Sequence, residues 1–412
     1  MSINKRFTFI LTLIIATTIA FADNGINSPY SRHGLGILSD QNLGVNRQMG
    51  GLGYALRSHS YINLLNPASF SEADSITMLF EGGFSLQNGN FSEGNVKKNF
   101  KNASFDYIAM QFRAFKGVGI SIGYLPYSNV GYSFSTNNNE EGITSTSSYN
   151  GEGGIYQPYI GIGWSPIKNL SVGLMASYIY GNITHTANKN FTDANLYDYT
   201  RRSEIDIKSY KLDFGAQYTL QVAKKHNLTV GVTYSFGHDL NADVNEIITT
   251  NNSDSINTNG GFKLPHTFGV GILYDYNNNW KFGVDYTYQG WGSSTFFEYD
   301  KGVNRSKISV GAEYSPNKLS RNIFKRMNYR MGAFYAQPYN RINGQEGCDE
   351  YGAGIGFSVP IINRINNRSM LHISGQVVRM EPKTTGMIAE TYLRLNIGIT
   401  FNESWFMKLK LR

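Results

Sequence analysis

From Ala389 to Phe401 the chain alternates. Ala389, Thr391, Leu393, Leu395, Ile397, Ile399 and Phe401 share one face of an extended strand, while Glu390, Tyr392, Arg394, Asn396, Gly398 and Thr400 share the other. A period of two fits a strand with unlike faces and excludes a helix. The division recurs at Leu228, Val230, Val232, Tyr234 and Phe236 against Thr229, Gly231, Thr233, Ser235 and Gly237. It recurs again at Trp280, Phe282, Val284, Tyr286 and Tyr288 against Lys281, Gly283, Asp285, Thr287 and Gln289.

A soluble sandwich produces the same alternation, so the choice rests on what occupies the polar face. Here it is mostly Gly, Ser, Thr, Asn and Tyr, whereas a face turned to water carries many charges. Only 16% of residues are charged, against 44 Gly, 28 Tyr and 25 Phe. Aromatics gather near segment ends, at Tyr124 and Tyr127, Tyr156 and Tyr159, Tyr178 and Tyr180, and Tyr274, Tyr276 and Trp280. Those are the girdles expected where barrel strands leave a bilayer. The pattern predicts an all-β, transmembrane antiparallel barrel.

The first residues agree. Lys5 and Arg6 precede an apolar run from Phe7 to Ile19 and the small-residue stretch Ala20-Phe21-Ala22, the order of an export signal. The run is too short for a helix crossing roughly 30 Å of hydrocarbon. Cleavage is expected after Ala22, and the alternating barrel places the product in the outer membrane of a gram-negative cell.

Segments of alternating polarity fall at 76–88, 103–115, 117–136, 143–165, 170–187, 200–222, 227–247, 256–275, 279–297, 301–315, 326–337, 348–360, 368–380 and 387–401. They number about 14, an even count as a bacterial barrel requires. Tight connections, such as Phe115-Lys116-Gly117 and Asn277-Asn278-Asn279, alternate with longer polar ones at Gln87–Asn102, Asn188–Tyr199, Thr249–Asn259 and Pro338–Gly347. The organisation expected is a signal peptide over 1–22, a segment over 23–74, a barrel over 75–401 and a periplasmic tail over 402–412.

A barrel of this size is too wide for strand side chains alone to fill. Residues 23–74 are Gly-rich and lack alternation, yet carry Leu52, Tyr54, Leu56, Tyr61, Ile62, Leu64 and Leu65. They suit an N-terminal plug in the lumen, with a disordered periplasmic tail as the other reading.

Within them, Asn46-Arg47-Gln48-Met49-Gly50-Gly51-Leu52-Gly53-Tyr54-Ala55-Leu56 is followed by a polar stretch and then Leu65-Asn66-Pro67-Ala68-Ser69. This resembles the N-terminal hatch of the FadL and TodX family of outer-membrane transport proteins, where a Gly-rich run precedes an Asn-Pro-Ala motif. The matching positions are Gly50, Gly51, Gly53, Asn66, Pro67 and Ala68. One departure is that the intervening stretch, Arg57-Ser58-His59-Ser60, is basic or neutral where the family often has an acid.

The resemblance implies passive uptake of hydrophobic small molecules, fatty-acid-like or aromatic. They would bind outside, pass a moving hatch, and leave sideways into the bilayer beside a kinked third strand. The third segment here contains Gly123, Pro126 and Gly131. Proline removes a ladder donor and glycine weakens a strand, so a bulge or opening there also follows from chemistry. Pro126 equally suits the rim, where strands outgrow the membrane.

Nothing in the chain forms a catalytic motif. The seven His are scattered at His33, His59, His185, His226, His238, His266 and His372, and no metal site or cofactor is expected. His33-Gly34-Leu35-Gly36 and Gly50-Gly51-Leu52-Gly53 are too short for a dinucleotide fingerprint. Cys348 is a lone loop thiol by this reading, beside Asp349-Glu350, which suit a solvated loop first and a cation second. The net charge of +7 comes without a basic run interleaved with aromatics, so nucleic acid is not a partner.

The expected partners are outer-membrane lipid, a hydrophobic ligand, and the export and barrel-assembly machinery during biogenesis. Other outer-membrane or periplasmic proteins stay open, because some FadL-like barrels serve as subunits of secretion or assembly complexes. Polar outer loops and a basic periplasmic side at Lys224-Lys225, Lys318, Arg321, Lys325-Arg326 and Lys408 to Arg412 keep that alternative alive.

Overall fold

The computed structural model describes residues 26–404, except 76, 95, 141, 194, 251–252, 260, 297–300, 318–319, 343, 362–368 and 385. The expected signal peptide, Lys318 and the basic run from Lys408 to Arg412 lie outside the described residues.

A short strand β1 (Ile37–Leu38) belongs to the N-terminal segment. The wall follows as β2 (Thr77–Glu93), β3 (Val96–Phe115), β4 (Val118–Glu140), β5 (Ile143–Ile167), β6 (Leu170–Phe191), β7 (Tyr199–Ala223) and β8 (His226–Ser235). A hairpin of β9 (Ala242–Thr249) and β10 (Ser253–Asn259) intervenes before β11 (Thr267–Tyr276), β12 (Trp280–Gln289), β13 (Arg305–Tyr314) and β14 (Asn328–Ala336). A two-residue pair, β15 (Arg341–Ile342) and β16 (Gln345–Glu346), precedes β17 (Cys348–Pro360), β18 (Met370–Pro382) and β19 (Ala389–Ser404). β19 pairs with β2 from Ala389↔Ser92 to Ser404↔Thr77, closing a 14-stranded antiparallel barrel. The last strand thus extends three residues into the expected tail, and closure leaves neither the first nor the last wall strand with an open edge.

Burial decides between membrane barrel and soluble sandwich. In β19 Leu393 and Leu395 are exposed while Glu390, Asn396 and Thr400 are buried. In β12 Phe282, Val284 and Tyr286 face out and Asp285 faces in. Apolar side chains outward and polar ones inward is the arrangement lipid requires and water forbids. Aromatic stacks mark both borders of the apolar belt: Tyr124 on Tyr156 at 5.7 Å at one end, Trp280 on Tyr314 at 4.2 Å at the other. The second border carries the tight turns, where Asn169, Lys225, Asn277 and Asn278 take positive φ.

Two expectations change. Segments 227–247 and 256–275 are each broken in two: β8 pairs directly with β11, and β9 continues along the outer part of β7. Between the pieces Leu240, Phe262 and Leu264 turn inward and are buried, tied by Leu240 N to Phe262 O and Leu264 N to His238 O, both 2.8 Å. Pro265 has no N–H for a ladder, so the wall strand cannot run through that point. The other change is that the polar stretch 87–102 is mostly strand rather than loop, and that strand β6 runs on to Phe191 within the stretch 188–199. Outside the bilayer both faces of a ribbon may be wet, and asparagines pair across it, as Asn99 does with Asn90 at 2.8 Å.

Candidate functional site

The N-terminal segment runs inside the wall. Besides β1, its regular elements are a 3-10 helix at Pro29–Arg32, a helical turn at Gly44–Gln48 and a 3-10 helix at Pro67–Glu72, and Leu35, Leu43, Met49, Leu52, Leu56, Ile62 and Phe70 are fully buried. Asn66 caps the 3-10 helix, its side-chain oxygen accepting from Ala68 N at 3.0 Å, while Pro67 supplies the fixed φ of the first position. The Asn66 amide donates to Tyr54 O at 2.8 Å, so the two halves of the Gly-rich and Asn-Pro-Ala pattern are joined through this side chain. Gly50 has φ +67, and a Cβ there would sit 2.6 Å from the Ala333 backbone of β14. Only glycine allows that approach at that angle. Gly51 also has positive φ.

Inward-facing wall side chains hold this segment. Asp285 accepts the amides of Gly53 and Tyr54 at 2.6 and 2.9 Å. Glu81 accepts Ile62 N at 3.0 Å, and Glu390 accepts the Ser28 hydroxyl at 2.8 Å. Arg330, paired with Glu313 at 2.6 Å, donates to the Gln48 side chain at 2.7 Å. Arg47 meets Asp106 of β3 at 2.5 Å, and Arg57 pairs with Glu72 within the segment. Burial alone would raise the Asp40 carboxyl, but Lys307, Arg394 and Arg47 outweigh it and hold that group below the usual carboxylate range.

The third wall strand is where the ladder fails. β3 and β4 pair from Phe115↔Val118 to Ile108↔Tyr124 and no further, while β4 stays paired with β5 through a bulge between Pro126 and Ser128. Beyond the break β4 takes β1 as its neighbour, with Ile37↔Asn129 and Leu38↔Ser128. Gly123 lies just below the break, where a Cβ would meet Ile108 O at 2.5 Å and the Tyr159 ring at 2.6 Å. Pro126 lies at it. Gly131 lies beyond, exchanging hydrogen bonds of 3.1 Å with the Ser31 hydroxyl.

A cavity of about 140 Å³ abuts the break, lined among others by Asp40, Arg47, Asp106, Pro126, Arg305 and Arg394. A second of about 160 Å³ lies across residues 38–40, against Lys211, Asp213, Asp285 and Lys307. Both mix these charged side chains with apolar ones, Ile37, Leu38, Ile342 and Met380 in the first and Leu64, Leu125, Met175 and Leu264 in the second. Cys348 is buried beside Tyr30 and Ile342 at the start of β17 rather than in a loop. Asp349 and Glu350 are likewise not simply solvated, pairing with Lys383 at 3.4 Å and Arg305 at 3.2 Å. Among the described residues no group of three His, Cys, Asp or Glu side chains is placed to hold a metal.

The sequence reading did not single out Glu81, Asp106, Glu313 or Arg330. The available signal was a charge on a face otherwise made of small residues, as for Asp285, Glu390 and Arg394.

A closed 14-stranded barrel with its N-terminal segment folded into the lumen and a broken third strand is an outer-membrane barrel of the FadL type. The chain belongs to the BamG family, which it matches over residues 3–412. Solved structures with the same fold include the CymD monoaromatic hydrocarbon channel, at 14% identity and TM-score 0.59 over 89% of this chain and 99% of that one. A FadL homologue of Pseudomonas aeruginosa gives 10% and 0.62 over 89% and 99%. The Ralstonia pickettii toluene transporter TbuX gives 15% and 0.55 over 87% and 97%. At such identities the likeness is one of fold. No curated protein matches the sequence.

Proposed function

We propose that the chain is a FadL-like outer-membrane barrel that holds a partner protein as a subunit of a secretion or assembly complex, with its N-terminal segment as a fixed hatch. The observation that carries this is the chemistry beside the broken ladder. A path for hydrocarbons needs an apolar pocket of several hundred Å³ with few polar groups. The cavity at the break holds about 140 Å³, and alongside Ile37, Leu38, Ile342 and Met380 its lining carries six charged residues, Asp40, Arg47, Asp106, Arg305, Glu350 and Arg394. Drawing an apolar molecule through it would strip solvent and partners from paired charges, which costs more than the apolar transfer returns. The reading assigns no catalysis and no cofactor.

A second reading, passive uptake of hydrophobic small molecules by lateral diffusion, is favoured by the kink at Pro126 and by the fold shared with CymD and TbuX. In it Gly123, Pro126 and Gly131 border the portal, and Gly50, Gly51, Gly53, Asn66, Pro67 and Ala68 form the moving hatch.

Native purification in mild detergent, paired with uptake of a hydrophobic probe into liposomes holding the pure barrel, separates the two. Stoichiometric partner protein with no uptake above empty liposomes is expected. Rapid uptake by the isolated barrel would reverse the order of the readings.

A further inference from the structure

The break beside Pro126 frees two strand edges, and the chain treats them differently. The β4 edge is taken up from within next to the break, where Ile37 and Leu38 pair with Asn129 and Ser128 and Ser39 N donates to Tyr127 O at 2.9 Å, while farther out, over residues 132–140, it is laddered on its β5 side alone. On β3 the pairing with β4 ends at Ile108, so Val96–Tyr107 is laddered on its β2 side alone. Among the described residues, the one side-chain hydrogen bond to the backbone of this stretch runs from the Ser104 hydroxyl to Phe105 O at 3.3 Å, and the N-terminal segment reaches it through the Asn27 amide, which donates to the Asn102 side chain at 2.9 Å. At about 3.4 Å per residue this is an edge on the order of 40 Å long.

Its inner end is not in water. Phe105 lies opposite Phe84 and Ala103 opposite Leu86, and Phe84 and Leu86 are exposed members of the apolar belt. Backbone N–H and C=O groups facing lipid without partners are strongly unfavourable. Acyl chains cannot supply those hydrogen bonds, whereas another strand can. Farther out, Lys97, Lys98 and Lys101 are all exposed. Lysines at an open edge deter pairing between like edges, so a second copy would bring six such charges together. They favour an incoming segment of opposite charge.

We propose that the β3 edge between Lys97 and Phe105 receives an extended acidic segment of a partner protein, added to the wall as a further strand. Main-chain hydrogen bonds would give the affinity and the lysines the selection. This rests on the partner-holding reading above and specifies where and how the partner is held.

The test compares the complex purified from native outer membranes with the isolated barrel, by amide hydrogen exchange over residues 97–105. Protection in the complex and its loss in the isolated barrel are expected. Adjacent strand residues point their N–H groups to opposite edges, so of Ala103→Pro and Ser104→Pro one removes a donor from the open edge and leaves the β2 ladder whole. That variant should fold as a heat-modifiable barrel and lose the partner, and Lys97→Glu with Lys101→Glu should lower its recovery roughly tenfold. A partner that co-purifies while residues 97–105 exchange freely, or that survives both prolines, overturns this inference alone. Protection that persists in the isolated barrel, or that appears only on dimerisation of this chain, also overturns it. Absence of any partner overturns the reading beneath it as well.

Discussion

The Asp285 carboxylate on β12 accepts the backbone N–H of Gly53 at 2.6 Å, so a wall strand holds the Gly-rich turn of the N-terminal segment through a main-chain donor. The same oxygen accepts Tyr54 N at 2.9 Å. Asp285→Ala would leave two buried amides without an acceptor, at about 1–3 kcal/mol each. The expected result is faster hydrogen exchange at residues 53–54 and earlier proteolysis within residues 26–74, with the heat-modifiable barrel intact. Unchanged exchange would show that the amides find another acceptor.

Leu395 and Asn396 are adjacent on β19 but face lipid and lumen. Leu395→Arg should cost about 2–4 kcal/mol in a lipid-refolding assay if it lies near the midplane. Asn396 is buried, 3.3 Å from Arg47, so a lumen cation there is not the mild change that polarity alone suggests. Asn396→Arg should loosen the Arg47–Asp106 pair and the N-terminal segment while sparing the barrel. Equal loss of barrel stability in both variants would contradict the facing.

Deleting residues 23–66 should leave the β2–β19 closure untouched, because the wall begins at Thr77. Planar-bilayer recordings should then show markedly raised single-channel conductance. If conductance stays at the parent value, inward-folded outer segments close the pore, with the cluster around Leu240, Phe262 and Leu264 the first suspect.

Asp40 gives a pH dependence. Its folded pKa is depressed by Lys307, Arg394 and Arg47 against the opposing effect of burial. A depressed carboxyl contributes stability that is fully present above its unfolded pKa of about 3.9 and is lost as pH falls toward the folded value. Proteolysis of the N-terminal segment should therefore accelerate below about pH 4 in the parent. In Asp40→Asn the acid-dependent part should shrink, from a lower starting stability. Identical acid profiles would remove Asp40 from the account.

Pro126→Val alone is the better probe of the broken ladder, since a side chain at Gly123 would collide with Ile108 O at 2.5 Å. It restores a backbone donor. Partner co-purification should be unaffected, and liposomes should show no uptake in parent or variant. A probe flux in the parent that falls in the variant would establish the lateral path.

The fold was legible because a membrane barrel writes its two environments into alternate residues. Leu393 and Leu395 against Asn396 and Thr400 state which face is which, and Lys116-Gly117 or Asn277-Asn278 state where the chain turns. Legibility ended where polarity stopped reporting environment. Asn, Ser and Lys in 87–102 are as compatible with an extracellular ribbon as with a loop, and pairing across the strand, invisible in composition, made the choice. Pro265 is a break signal that the segment expected over 256–275 runs straight through, and that Leu240, Phe262 and Leu264 would turn inward depends on strands brought beside them.

Local chemistry therefore determined a great deal by itself: the strand period, the outward and inward faces, the tight turns, the Asn66-Pro67 helix start and the weakness at Pro126. Those properties depend on neighbours within a few residues. What only the tertiary structure decided is which charges meet. Arg47 and Asp106, Arg330 and Glu313, Asp285 and the Gly53 amide, and the unequal fates of the β3 and β4 edges join positions far apart in the chain. Closing the barrel fixes their register, and no local pattern encodes the distance between residues that closure brings together.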